Sequence, residues 1–232
     1  MNYMDEKATI GGIVAAIPAA AMIFGEVGID YCCGGHRLLL DVLREKGLAA
    51  QDIYEKLARA IEERKSGYDT QEKDFLAMSP AVLATYIEDT HHSFLRRALP
   101  EAAELLQTVL KVHGKNHQEL FSVYRLFGQL KADLEQHLVK EETMLFPELG
   151  NVAADKAEII RVTAELVSEH EAAGKILQEL RVLTNNYTIP EGGCGTYQKA
   201  YQLLEEIEND IHQHIHLESN ILLVEYTNHS VS

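Results

Sequence analysis

The chain has 232 residues and a formal net charge of −15, which argues against nucleic acid and anionic membranes as partners, since both call for basic patches. No run of about eighteen apolar residues occurs, so no membrane-spanning helix is expected; the start, Met1-Asn2-Tyr3-Met4, lacks the basic-then-apolar order of a secretory signal, which makes the cytoplasm the expected compartment. Three cysteines, two of them adjacent, are no disulfide framework, and modest Pro and Gly content with weak β-branched alternation points to an all-α fold.

Thr9 is placed to cap a short helix carrying Ile10, Ile13, Val14 and Ile17, and Pro18 suits the first turn of a second one through Ala19–Phe24. The glycines of Asp30-Tyr31-Cys32-Cys33-Gly34-Gly35 mark a tight turn that opens a helix from about His36, which Gly47 stops. Another helix follows through Ile53, Leu57 and Ile61, so residues 1–65 read as a small helical domain. The polar, charged stretch at 66–77 reads as a linker. Ser79-Pro80 is then a firm helix start. Four long amphipathic stretches follow, at roughly 80–111, 117–147, 152–184 and 195–226, and short loops between them make residues 78–227 an antiparallel four-helix bundle.

Chemistry enters along the apolar seams of that bundle. In the second helix Phe127, Leu130 and Leu134 recur in steps of three and four, and the same rhythm then meets His137, Glu141 and Met144. The fourth helix repeats the phrase, with a seam of Leu204, Ile207, Ile211, His214, Glu218 and Ile221. A carboxylate on a buried seam is costly unless paired or metal-bound, and His and Glu one turn apart share a helix face. Two such pairs read as two halves of one metal site. His170 lies on the third-helix seam of Ile159, Thr163, Leu166, Ala173 and Leu177; in the first helix His91 and His92 fit competing seams, and periodicity leaves the choice open. Imidazole with carboxylate oxygen suits iron, manganese or zinc. Four imidazoles and two carboxylates exceed the needs of one tetrahedral zinc, whereas two metals bridged by both carboxylates use them all.

The combination resembles the iron–sulfur cluster repair di-iron proteins, the Repair of Iron Centres family, which join an Asp-Tyr-Cys-Cys-Gly-Gly domain to a hemerythrin-like bundle. Residues Asp30–Gly35, Leu99-Pro100-Glu101, Lys140-Glu141-Glu142 with Leu145-Phe146-Pro147, Ser168-Glu169-His170 and Leu217-Glu218 carry the likeness over nearly the whole chain. It departs at Leu222-Leu223-Val224-Glu225, where the family usually has Leu-Phe-Pro. The resemblance selects His92 over His91 and implies His92, His137, His170 and His214 as terminal ligands, with Glu141 and Glu218 bridging. It implies two non-haem irons, oxo-bridged when oxidised, in a stress-response protein that restores iron–sulfur clusters damaged by oxidation or nitrosation. The bundle supplies the iron and Cys32 and Cys33 assist its transfer to damaged or apo iron–sulfur proteins. The alternatives are reduction of nitric oxide to nitrous oxide at the same centre, and hemerythrin-like binding or sensing of dioxygen or nitric oxide. A homodimer is one arrangement the sequence admits.

The remaining candidates carry lesser expectations. Cys32 and Cys33 precede a helix start, whose dipole would favour thiolate. Cys194 reads as structural, and His36, His113, His117, His212, His216 and His229 as surface residues, with His212 and His216 able to support the ligands from behind. Glu142 and Glu169 read as solvated helix faces, and Tyr124 and Tyr201 as core or hydrogen-bonding residues.

Overall fold

The computed structural model describes residues 3–65, 73–151 and 153–227. Among them the regular structure is helical, with one isolated backbone bridge between Thr9 and Leu38. The expected linker falls mostly on residues outside the described ones, as does His229. Two compact units form, residues 1–83 with 215–232, and residues 84–214.

In the first unit Thr9 caps α1 (Ile10–Ala16), its hydroxyl accepting from the Gly12 amide at 3.2 Å; such a cap is worth about 1 kcal/mol. Helix α2 (Ala20–Glu26) begins after Ala19, so Pro18 stands just outside it rather than in its first turn. Helix α3 (Leu39–Lys46) ends at Gly47, whose φ of 64° is the left-handed conformation that a helix stop of this kind requires. It begins three residues later than the sequence suggests, because Arg37 N still closes the turn on Gly34 O at 3.0 Å and Leu38 is extended backbone that bridges to Thr9. The Asp30 carboxylate accepts from the amides of Cys32 and Cys33, each at 3.0 Å. Helix α4 (Ala50–Lys65) completes the unit, which closes over Ile10, Ile13, Phe24, Leu39, Leu43, Ile53 and Leu57. Helix α5 (Pro80–Ile87) starts at Ser79, whose hydroxyl accepts from Val82 N at 3.4 Å.

The second unit holds α6 (Ser93–His113), α7 (Glu119–Lys140), α8 (Lys156–Leu183) and most of α9 (Gly195–Leu217). Helix α7 packs against both α6 and α8. The seams named from the sequence are buried: Leu95, Leu99 and Leu106; Phe127, Leu130 and Leu134; Ile159, Leu166 and Leu177; Leu204, Ile207 and Ile211. This is the four-helix architecture that the periodicity implies.

At three places the α-helical hydrogen bonding widens into a π turn: Glu88–His92, Glu141–Leu145 and Glu218–Leu222. Each adds one residue to a turn, and π turns collect at functional sites. They also move the seam. Met144 and Ile221, expected inward, give way to Leu145 and Leu222, which are buried while Met144 is exposed.

Candidate metal centre

The polar residues on the seams meet in the bundle interior. Glu141 is fully buried, and its two oxygens divide the histidines between them. Oε1 lies 3.1 Å from Nε2 of His137 and 3.9 Å from Nε2 of His170; Oε2 lies 3.2 Å from Nε2 of His92 and 3.6 Å from Nε2 of His214. Within each pair the Nε2 atoms approach to 3.0 Å (His137, His170) and 3.3 Å (His92, His214). None of the contacts to Glu141 is directed as a hydrogen bond. Glu218, also fully buried, begins the π turn one helical turn beyond His214, and it belongs to both groups whose ligand atoms lie within 4.8 Å of one another: His92, Glu141, His214, Glu218 and His137, Glu141, His170, Glu218. All six residues expected from the sequence are thus brought together.

The surrounding carboxylates set the imidazole tautomers. Nδ1 of His92 stands 2.7 Å from Glu142 Oε1, and Nδ1 of His137 stands 2.8 Å from Glu169 Oε2. A carboxylate has only acceptors, so each ring must donate from Nδ1, and a neutral ring then presents its Nε2 lone pair towards Glu141. Arg96 holds Glu142 from the other side at 2.7 Å, and Lys140 pairs with Glu169. Glu142 and Glu169 therefore orient the His92 and His137 imidazoles, where the sequence reading placed both carboxylates on a solvated face. The signal was present: each adjoins a seam ligand in the chain and sits on the helix beside the imidazole it holds.

Electrostatics agree with a site built for positive charge. Burial pushes the Glu141 carboxyl up, yet the facing imidazoles of His137, His214 and His92 hold it well below the usual carboxylate range. The hydrogen bond from His137, with Lys140, holds Glu169 down at about 2 against partial burial. A buried carboxylate facing ring nitrogens at non-hydrogen-bonding angles is a donor set that suits a cation. Four nitrogens and two carboxylates, with Glu141 presenting one oxygen to each histidine pair, fit two divalent or trivalent metal ions such as iron. His91, the competitor of His92, is buried too. Its Nδ1 pairs with Asp210 at 2.9 Å and its ring stacks on His214, so it backs the site rather than joining it.

In the first unit Asp30, Cys32 and Cys33 form a second cluster of potential metal-binding atoms. The expected thiolate character is absent at Cys32. Its thiol donates to Asp30 Oδ1 at 3.1 Å and stands 3.8 Å from Cys33 Sγ. The hydrogen bond with Cys33, burial and the Asp30 charge push this thiol well up, and the helix whose dipole would oppose them starts only at Leu39. Two other expectations change. His216 is buried, not on the surface, and burial pushes its pKa down to about 4, so its ring is neutral. Cys194 is exposed at the start of α9, where His113 Nε2 lies 3.2 Å from its sulfur. Tyr201 is buried against Tyr197, their hydroxyls 3.1 Å apart, while Tyr124 is exposed. Among the described residues no helix is long and apolar enough to cross a membrane.

Comparison with known proteins agrees with this arrangement. The family model of the hemerythrin HHE cation-binding domain matches residues 83–225, and one described as a domain of unknown function (ScdA_N, DUF542) matches residues 6–61. A probable iron–sulfur cluster repair protein of Haemophilus influenzae is 33% identical over 224 residues, 96% of each chain. Iron–sulfur cluster repair protein YtfE of Pectobacterium atrosepticum is 32% identical over 226 residues, again 96% of each. Iron–sulfur cluster repair protein ScdA of Staphylococcus epidermidis is 30% identical over 216 residues, 92% of this chain and 95% of the relative.

Proposed function

We propose, for a chain that belongs to the iron–sulfur cluster repair family and carries its hemerythrin HHE cation-binding domain, that it restores damaged iron–sulfur clusters by supplying iron held at the histidine–glutamate centre. His92 and His214 would hold one iron and His137 and His170 the other, with Glu141 and Glu218 the carboxylates common to both groups. The observation that carries this reading is Glu141: fully buried, one oxygen towards each histidine pair, and no directed hydrogen bond to either. Such a shell of nitrogen and carboxylate oxygen accommodates both ferrous and ferric iron. Glu142 and Glu169 keep the Nδ1 protons of His92 and His137, which leaves the inner nitrogens basic.

Cys32 and Cys33 receive the iron on its way to an apo or damaged iron–sulfur protein. Both thiols must lose their protons to bind it. Asp30 accepts the Cys32 S–H hydrogen bond and orients that sulfur, and the protons of both thiols leave to water as the metal binds. Its two bonds from the Cys32 and Cys33 amides fix the turn that presents both sulfurs.

The test loads the full chain with ferrous iron anaerobically and adds an enzyme whose cluster has been stripped by peroxide. Activity returns while the chain loses iron in proportion. Glu141→Ala with Glu218→Ala gives no repair, and Cys32→Ala with Cys33→Ala keeps its iron but transfers it slowly. Equal repair by the glutamate variant overturns the reading. So does nitrous oxide accumulating over repeated turnovers, without any acceptor, from added nitric oxide.

A further inference from the structure

One polar side chain in the first unit fills a space that two glycines leave open. Asn220 sits in the π turn Glu218–Leu222, two residues beyond Glu218. Its amide nitrogen donates to the backbone carbonyls of Tyr31 (3.2 Å) and Cys32 (3.0 Å) and lies 3.3 Å from His216 Nδ1. The chain leaves room for it with two glycines. A Cβ on Gly11 or on Gly35 would stand 2.2 Å from Asn220 Oδ1, closer than any real contact allows. Those glycines are themselves joined, Gly11 N donating to Gly35 O at 2.8 Å, and Ile10 N donates to Arg37 O at 3.0 Å. The first turn of α1 and the thiol turn thus form one cleft with a single side chain wedged into it. The Tyr31 ring meets the edge of His216 from the same segment, with centroids 5.8 Å apart.

We propose that Asn220 is a positioning residue that clamps the Cys32–Cys33 turn to the π turn bearing Glu218, so that metal held by Glu218 keeps Cys32 buried and metal loss releases it. The inference rests on the reading of Glu218 as a ligand, and it makes thiol access a consequence of the iron content of the bundle. The physical link is short. A π turn interrupts the regular α-helical hydrogen bonding, and a metal bond to its first residue fixes the segment. Asn220 is then fixed with it, and the two carbonyls it holds cannot swing away. Without metal the π turn frees Asn220, and the Tyr31 and Cys32 carbonyls lose their tie to that segment while the turn keeps its bonds to Asp30 and the Gly11–Gly35 pairing.

The experiment is pulsed iodoacetamide labelling of the full chain, metal-free and loaded with two equivalents of ferrous iron, read by mass spectrometry at Cys32 and with exposed Cys194 as the internal reference. In the unmodified chain iron slows labelling of Cys32 about tenfold. Asn220→Asp keeps the shape but turns two donors into acceptors facing carbonyls. Asn220→Ala removes the clamp. In both, Cys32 labels about tenfold faster than in the loaded unmodified chain, the order expected for losing one net hydrogen bond, and iron no longer changes the rate. Bound iron, helicity and Cys194 labelling stay as they were. Gly35→Ala, which expels Asn220 sterically, repeats the result from the other side of the cleft. Iron-dependent protection persisting in Asn220→Asp overturns the proposal, because the metal then shields the thiols without the clamp. A chain that binds no iron, by elemental analysis, removes the reading of Glu218 and the coupling together.

Discussion

Two of the buried glutamates, Glu208 and Glu141, are treated in opposite ways. Glu208, 2% exposed on α9, receives Arg181 in a two-pronged pair, Nε to Oε1 at 3.0 Å and Nη2 to Oε2 at 2.6 Å. That guanidinium lies over the Tyr187 ring, 5.4 Å from its centroid, and the hydrogen bond with Glu208 pushes the pKa of Arg181 up. Glu141, equally buried, faces imidazole nitrogens from which it accepts no directed bond. Residue type, burial and helical setting are alike; what differs is who supplies the positive charge. At Glu208 the chain supplies it. At Glu141 imidazoles stand where Glu208 has a guanidinium, and on the proposed reading a bound metal supplies the rest of the charge.

The largest expected effect breaks this comparison at the metal end. Glu141→Ala with Glu218→Ala should lose both irons and with them the stabilisation that bound metal confers, about 4 kcal/mol when free metal exceeds its Kd a thousandfold. Elemental analysis and thermal melts with and without iron check it; two irons retained per chain would refute the bridging roles. The single change Glu141→Gln sharpens the contrast, because it removes a carboxylate that the facing imidazoles hold ionised and should lower Tm in the metal-free chain as well as weaken metal binding. A metal-free Tm that is unchanged or higher would mean that the imidazoles do not offset its burial. Arg181→Ala should cost about 3 kcal/mol whether or not iron is present, since it strands Glu208. A chemical-denaturation midpoint insensitive to Arg181→Ala would mean that water already reaches Glu208. Smaller again is Glu142→Gln, which leaves His92 without an anionic partner at Nδ1 and should weaken metal binding by about 10- to 100-fold. Competition with a chelator of known affinity measures it, and an unchanged affinity would reduce Glu142 to a partner of Arg96 alone.

How far the sequence exposes these features depends on their physical origin. The seams of the bundle are legible because burial repeats every three to four residues, and Leu99, Phe127, Ile159 and Ile207 all follow that rule. His137, Glu141, His214 and Glu218 are legible for the same reason, as polar residues at apolar positions. The π turns are not legible. They insert a residue where the ligands fall, which is why Met144 and Ile221 are misread as inward and why His91 and His92, inside Glu88–His92, both fit. Glu142 and Glu169 escape a reading of single helices because their partners, His92 and His137, lie on neighbouring ones. Asn220 escapes it altogether, since nothing short of the cleft between Gly11 and Gly35 shows what it fills.

The thiols reverse their expected order, and this gives the smallest and most local prediction. Sequence position suggests activated Cys32 and Cys33 before a helix and an inert Cys194. In the fold Cys32 is buried beside an acceptor carboxylate, whereas Cys194 meets His113 and the backbone amides of Thr196 and Tyr197 at the start of a 23-residue helix. The hydrogen bond with His113, then the amide bonds, bring the Cys194 thiol from its ordinary value of 9.0 down to about 7. A lowered thiol pKa means that thiolate, the nucleophilic form, is present above pH 7 and lost below it. Alkylation of Cys194 should therefore rise with pH to half its plateau near 7, and His113→Ala should move that midpoint up towards 9.0 without changing iron content or Tm. At pH 7 Cys194 should react well before Cys32, whose raised pKa and burial both oppose attack. A Cys194 midpoint that stays near 7 in His113→Ala would assign the shift to the helix start alone. The imidazole would then be a neighbour of the thiol and nothing more.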